Sequence, residues 1–126
     1  MRSIKNYSSP VHQGIYNALA LAAHKAMTEG GATIDLIKMD VAKHKTGYYV
    51  GVGKLYAGSI SGLDFHGVAY EIDRRKPEFI GSWMDKDVLY IDCVAHIFEL
   101  DRALQTAREN SELAIWDIAA REEIRL

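Results

Sequence analysis

The sequence predicts an α+β domain in which helices pack on an antiparallel sheet, with strands and helices in a ferredoxin-like βαββαβ order that follows an extra N-terminal helix. Two observations predict this class. Segments with apolar residues at helical spacing alternate with segments rich in β-formers, and the stretch EFIGSWMDKDVLYIDCV (78–94) has the period-two pattern of a hairpin. Because 126 residues suit one domain with its own core, we expect residues 1–126 to fold as a single domain.

The first helix is predicted over residues 10–29. Ser8 and Ser9 before Pro10 supply an N-cap and a proline for the first turn, and Gly30 ends the helix. The apolar residues between these signals recur at helical spacing: Val11, Ile15, Ala18, Leu19, Ala22 and Ala26.

Strand signals follow this helix. The stretch ATIDLIKMDVAK (32–43) has mixed periodicity, which leaves residues 33–37 open between strand and loop. The stretch TGYYVGVGKLYAG (46–58) is rich in β-formers and glycine. It predicts a strand with a bulge or a close backbone approach near Gly51 and Gly53.

The second half of the chain predicts two more helices and a C-terminal pair of strands. Apolar residues from Phe65 to Ile72 lie at helical spacing before Pro77, which ends that helix. After the hairpin, a third helix is predicted over residues 97–110. The last stretch, ELAIWDIAAREEIRL (112–126), predicts a strand, a short turn and a terminal strand.

The central hairpin is apolar on both faces. With a two-residue turn at Asp85 and Lys86, the period of two sorts its side chains. One face carries Ile80, Ser82, Met84, Leu89, Ile91 and Cys93. The other carries Phe79, Trp83, Val88, Tyr90 and Asp92, with Gly81 leaving room for the Tyr90 ring and Trp116 extending the aromatic set.

Two helices can cover one face of this hairpin, and the sequence leaves three interpretations of the other. In the first, the N-terminal helix crosses the aromatic face, whose residues are then ordinary core. In the second, part of this face stays open and binds a second copy or another protein. In the third, Trp83 and Tyr90 line a small-molecule pocket. The predicted contact residues for a protein partner are Phe79, Trp83, Tyr90 and Trp116.

Composition and charge argue against several classes of protein. The formal net charge is −2 and no long run of like charges occurs, which disfavours nucleic-acid binding. The single cysteine, Cys93, cannot form an internal disulfide and suits a reducing compartment. The segment MRSIKNYSSP lacks the apolar region of a signal peptide, and no window has the apolar length that spans a membrane. We therefore expect a cytoplasmic protein that does not enter a membrane.

No catalytic, cofactor or metal site is predicted. Cys93 falls on the aliphatic face of the hairpin, where a thiol is usually inert, and no second cysteine completes a zinc site. The stretch LDFHGVAYEIDRRKPE (63–78) contains an alternative ligand-binding set: Asp64, His66, Asp73, Arg74 and Arg75. This set would serve an enzyme or nucleotide-binding protein whose site is shared between subunits. The competing interpretation of the same residues is a solvated, salt-bridged helix face.

The C-terminal half contains two short motifs. A Gly-x-Trp turn leads into Tyr-x-Asp (Gly81, Trp83, Tyr90 and Asp92), and the strand LAIWD (113–117) follows an Ala-rich helix. On these residues, the C-terminal half resembles a recurring segment of small uncharacterised proteins of phages, plasmids and bacterial integrative elements. The resemblance implies a genomic setting and brings no catalytic residues with it.

These observations predict a small non-enzymatic accessory protein of a phage or mobile element that acts by protein–protein binding. Inhibition of a host defence system such as CRISPR interference, by contact with the defence complex, is the candidate biological role. We also expect a homo-oligomer, because a second copy is one way to cover the aromatic face. No cofactor is expected.

Overall fold

The computed structural model describes residues 10–126, with the side chains of residues 13–126, so the predicted N-cap residues Ser8 and Ser9 lie outside it. Its helices are α1 (Pro10–Glu29), α2 (Phe65–Arg75) and α3 (Leu100–Glu109). Its strands are β1 (Gly31–Asp35), β2 (Asp40–Val41), β3 (Tyr48–Gly58), β4 (Phe79–Asp85), β5 (Val88–Ile97), β6 (Ala114–Asp117) and β7 (Glu122–Arg125). The predicted α+β class is confirmed.

The seven described strands form one antiparallel sheet in the order β2-β1-β4-β5-β3-β6-β7. Helix α2 connects β3 to β4 across β5, and α3 connects β5 to β6 across β3. This order differs from that of a four-stranded ferredoxin-like sheet. The difference arises because the β1–β2 hairpin adds to the outer edge of β4, while β7 turns back onto β6.

The predicted helices and strands agree with the structure along most of the chain. The ambiguous stretch after α1 forms β1 and β2, and β3 shifts register between Gly51 and Gly53, where a bulge is predicted. The third helix begins at Leu100, later than predicted, because Ile97 still pairs with Tyr48 at the end of β5. No helix among the described residues has the length and apolar character needed to cross a membrane.

The turn of the β4–β5 hairpin lies one residue later than predicted. Lys86 and Asp87, rather than Asp85 and Lys86, form the two-residue loop, with φ angles of 49° and 68°. Positive φ at both positions is what a type I′ hairpin turn requires. The shift moves every cross-strand partner by two residues, so Trp83 lies opposite Tyr90. Because side chains alternate with a period of two, each one still lies on its predicted face.

All three described helices pack on the same face of the sheet. One apolar cluster joins α1 and α2 to Ile34, Ile80, Leu89 and Ile91. A second cluster joins Ala103 and Ala107 of α3 to Val50 and Ile115. Val50 lies directly opposite Ala95, which shares a face of β5 with Ile91, so both clusters lie on one side.

Helix α1 approaches this face closely because its inner side is lined with alanine. Ala18, Ala22, Ala23 and Ala26 are buried, and the hydroxyl of Ser82 donates a hydrogen bond of 2.6 Å to the carbonyl of Ala22. That bond satisfies a buried polar side chain in the middle of β4. The interpretation in which the first helix crosses the aromatic face is therefore wrong.

Candidate functional site

The face of the sheet opposite the helices carries two groups of aromatic side chains. We call it the open face, because none of the described helices packs on it. Cross-strand register places these residues on it: Tyr49, Gly51, Phe79, Gly81, Trp83, Val88, Tyr90, Asp92, Val94, His96 and Trp116. The four predicted contact residues, which come from β4, β5 and β6, are thus brought together on one face.

At the turn end of the open face, two large aromatic rings cover each other. Trp83 and Tyr90 are directly opposite in the hairpin, with ring centroids 4.6 Å apart and planes 18° apart. Stacked pairs of this kind add about 0.5–1.5 kcal/mol beyond the area that they bury. Both side chains remain partly exposed, so the outer surface of the stack is available to a partner.

A glycine lies beside this stack for a reason that differs from the predicted one. Gly81 was expected to leave room for the Tyr90 ring. A Cβ at position 81 would instead lie 2.7 Å from a methyl group of Val94, which occupies the space. The β4–β5 register explains the change, because Gly81 lies opposite Asp92 and not opposite Tyr90.

At the other end of the open face, the loop of residues 42–47 folds over the sheet. The His44 ring stacks on His96, with centroids 3.7 Å apart, and meets Phe79 edge-on at 5.3 Å. His44 Nδ1 and the Tyr49 hydroxyl share a hydrogen bond of 3.0 Å. Burial and the neighbouring His96 lower the pKa of His44, which favours its neutral form.

This loop decides which of the predicted contact residues are accessible. Phe79 is 3% exposed beneath His44, so it supports the loop from inside. Trp116, opposite Tyr49, is 43% exposed. Phe98, which was not predicted as a contact residue, is 67% exposed and packs edge-on against His96.

Two carboxylates lie near the centre of the open face. Asp92 is only 8% exposed, although it has Gly81 on one side and Lys54 on the other in the strand register. Glu112 reaches over the neighbouring strand, where a Cβ on Gly51 would lie 2.6 Å from its carboxylate. Within residues 13–126, the Asp92 carboxylate has no hydrogen bond and no ion pair.

The environment of this pair favours protonation. Burial, together with the charge of Glu112, raises the pKa of Asp92 to about 7, while Lys54 acts in the opposite direction. Burial also raises the pKa of Glu112, again opposed by Lys54. Near neutral pH, Asp92 is therefore divided between its charged and neutral forms. A cation brought to this pair would favour the charged forms.

The alternative ligand-binding residues lie along α2. The Asp64 side chain caps the helix by accepting a hydrogen bond of 3.0 Å from the amide of Gly67. His66 hydrogen bonds through Nδ1 to the hydroxyl of Tyr16 on α1. Both interactions stabilise the helix or its contact with α1, so Asp64 and His66 have structural roles in this arrangement.

The basic residues at the end of α2 are also engaged in the fold. Arg74 and Arg75 form ion pairs with Glu71 at 2.8 Å and 3.1 Å. Arg75 also donates a hydrogen bond of 3.2 Å to the carbonyl of Lys54 in β3. Asp73 lines a shallow depression of about 510 Å³ together with Lys76. No group of three or more His, Cys, Asp or Glu side chains among the described residues could hold a metal ion.

Sequence reasoning did not place several residues on this surface, among them Tyr49 and His96. It also missed His44 and Glu112, which reach the open face from outside its strands. His44 meets His96 from a loop 52 positions earlier in the chain. Glu112 reaches Gly51 from the segment after α3. No local pattern marks either residue, because each is placed only by the pairing of distant strands.

No family model, curated protein or solved structure matches this chain. The resemblance of its C-terminal half to proteins of mobile elements therefore stays a prediction.

Proposed function

We propose that this chain is a small non-enzymatic protein that acts by binding another protein through the open face. The observation that carries the proposal is the unequal cover of the sheet, with three described helices on one face and none on the other. An antiparallel sheet normally places polar side chains on its solvated face. A partly solvated face that carries large aromatic side chains at both of its ends is typical of an interaction surface.

The accessible aromatic side chains would supply most of the binding energy. Trp83 and Tyr90 are stacked and need little further ordering, and Trp116 presents a 43% exposed indole on a neighbouring strand. Large aromatic residues with few rotatable bonds dominate the energetics of many interfaces. Phe79, which is buried, would contribute by holding the His44 loop in place.

The biological role in this proposal is that of a cytoplasmic phage or mobile-element protein that inhibits a host defence system such as CRISPR interference. The genomic setting rests on the resemblance of the C-terminal half, and the compartment rests on the single free cysteine, which is buried.

We also propose that the inner strands β4-β5-β3-β6 form a ferredoxin-like unit, because each of their two helical connections crosses one strand.

Site-specific photocrosslinking tests the proposal. Tyr90 on the open face is replaced by p-benzoylphenylalanine, and Tyr70, which is 58% exposed on α2, receives the same replacement as a matched control. After irradiation in cells of a host, we expect a discrete protein adduct from position 90 and none from position 70. Equal labelling at both positions, or none at position 90, would contradict the proposal. An adduct of twice the chain mass would identify the homo-oligomer as the occupant.

A second candidate function is an enzyme or nucleotide-binding protein with a site shared between subunits. The observation that favours it is the depression beside α2, which brings Asp73 and Lys76 to one cavity. A thermal shift with nucleotides and divalent metals tests it. A ligand present at about 100 times its dissociation constant would stabilise the fold by about 2.7 kcal/mol. If binding of a protein is the function, we expect no such shift.

A further inference from the structure

Among residues 13–126, the Asp92 carboxylate is the buried polar group of the sheet that has neither a hydrogen bond nor an ion pair. Ser82, the other buried polar side chain in the sheet, donates to a backbone carbonyl, whereas Asp92 has neither a hydrogen bond nor an ion pair within residues 13–126. An unpaired buried carboxylate is costly, and folded proteins normally pair it or neutralise it. Asp92 points toward the open face, where its remaining exposed surface meets solvent.

The surroundings of Asp92 favour a positively charged occupant. Glu112 is the second carboxylate at the centre of the face. Its negative charge disfavours the ionised form of Asp92. Lys54 lies opposite Asp92 in the strand register but forms an ion pair with neither acid, and its side chain is exposed. On β4 the opposite residue is Gly81, which has no side chain to neutralise the acid.

Aromatic surface borders the same position. Tyr90 lies two residues before Asp92 on the same face of β5, and Trp83 stacks on it from β4. A guanidinium or ammonium group near such rings gains from the negative face of the π system. An arginine also presents a planar fork of donors that can bind carboxylate oxygens while its plane lies on an aromatic ring.

We infer that the centre of the open face accepts a basic side chain of the partner protein, an arginine or a lysine, which pairs with Asp92 and Glu112 and packs on the Trp83–Tyr90 stack. This inference rests on the proposed function, because it specifies the partner chemistry of the same face. It also distinguishes the occupant from a metal ion, for which the described residues offer no group of three ligating side chains.

The direct test uses N-acetyl-arginine amide as the probe and N-acetyl-citrulline amide as the uncharged control of the same shape. Side-chain carboxyl carbons are followed by NMR through a pH titration of the intact chain. The arginine probe should lower the pKa of Asp92 by about one unit or more, since an opposite charge at contact distance favours the carboxylate. It should also shift the Trp83 indole signal, and the citrulline probe should do neither.

Three variants complete this test. Asp92→Asn keeps the shape of the side chain and should abolish the response of the Trp83 indole to the arginine probe. Glu122→Gln removes an exposed carboxylate of β7 and should leave that response unchanged. The same response to both probes, or none in the wild type, would overturn the inference. If a response appeared only after Lys54→Ala, Lys54 would already be filling the site, and the inference would be overturned as well.

Crosslinking at position 90 separates this inference from the proposed function. In a double variant with Asp92→Asn and Glu112→Gln, we expect at least about tenfold less adduct, because the paired charges are lost. An adduct that forms equally well in the double variant would leave the protein-binding function standing and overturn the cationic contact. Absence of any adduct, together with a positive arginine titration, would instead remove the proposed function and keep the site. A self-adduct that depends on Lys54 would assign the face to a second copy and overturn the inference.

Discussion

The two faces of the β4–β5 hairpin are similarly apolar in sequence, but the described helices cover only one of them. On the helix-covered face, Ile80, Leu89 and Ile91 have no exposed surface. On the open face, Trp83 and Tyr90 keep part of their surface in solvent and cover each other. An apolar strand face is thus not a core face until another element of the chain reaches it.

The types of side chain explain how one fold can contain both faces. Branched aliphatic residues are stabilised mainly by complete removal from water, which the small side chains of α1 permit through close approach. Aromatic rings on neighbouring strands can bury each other's faces without a covering helix. The open face therefore tolerates solvent contact and keeps a surface for binding.

The largest expected effect is on the helix-covered face. Ile80→Ala should lower the free energy of unfolding by roughly 2 to 5 kcal/mol, because it leaves a cavity beneath α1. Ile37→Ala is the matched control, since Ile37 is 76% exposed in the turn after β1, and it should change the free energy of unfolding by less than about 0.5 kcal/mol. Urea unfolding measures both. Similar losses in the two variants would show that Ile80 is not packed beneath α1 as described.

The next effect is a pH dependence that originates on the open face. Asp92 has a pKa of about 7 in the folded protein and an ordinary value of 3.8 in the unfolded chain. Between these two pH values, the folded state therefore holds a proton that the unfolded state has released. Its contribution to stability is fully present below pH 4 and is lost as the pH rises through 7. Asp92→Asn should therefore raise the free energy of unfolding at pH 8 by roughly 2 to 4 kcal/mol.

Chemical denaturation at pH 5 and pH 8 checks this prediction. The gain from Asp92→Asn should be smaller at pH 5 than at pH 8, because Asp92 is already mostly protonated there. Glu122→Gln, at an exposed position of β7, is the control and should show no comparable gain. A variant that is less stable than the wild type at pH 8 would mean that Asp92 has a stabilising partner in the free protein.

A smaller effect is expected for the aromatic stack. Trp83→Ala should lower the free energy of unfolding by roughly 1 to 2.5 kcal/mol, because the variant loses both the stacked contact and the area that a partly exposed indole buries. A core tryptophan would instead cost about 3 to 5 kcal/mol. Light scattering on the same variant reports whether the mass in solution changes. If Trp83→Ala lowered the free energy of unfolding as much as the loss of a core tryptophan does, this ring would belong to the interior and not to the binding surface.

The smallest effect concerns the loop of residues 42–47. The pKa of His44 is lowered by burial and by His96, so its stabilising contribution is present above the ordinary histidine range and is lost as the pH falls through the lowered value. This sign is opposite to that of Asp92. His44→Phe keeps a ring on His96 and Phe79 but removes the titration.

Amide hydrogen exchange of residues 42–47 measures the effect on this loop. After correction for intrinsic rates, protection in the wild type should decrease between pH 7 and pH 5, because partial burial and the neighbouring His96 disfavour the protonated form of His44. Protection in His44→Phe should not depend on pH in this range. Equal pH dependence in both proteins would assign the change to another group.

Local patterns predicted the elements of this fold well, and the pairing of distant strands less well. Both sides of the hairpin were sorted correctly although the turn was misplaced, because a one-residue shift of the turn moves partners by two. The β2 strand of Asp40–Val41 is too short to show a pattern and exists because β1 supplies its partner. The four aromatic residues named from the sequence do lie on one face of the sheet, but Tyr49 was not among them. Glu112 and His44 could not be found, since neither lies in a periodic segment.

The spacing of side chains along single elements was enough to predict the α+β class, the span of α1, the bulged β3 strand and the two apolar faces of the hairpin. Long-range contacts place α1 with the other helices on the aliphatic face and let the loop carrying His44 bury Phe79. They also put Asp92 near Glu112, without a partner for Asp92 among residues 13–126. These arrangements depend on contacts between residues far apart in the chain. Their free energies are those of packing and burial, which local periodicity does not encode.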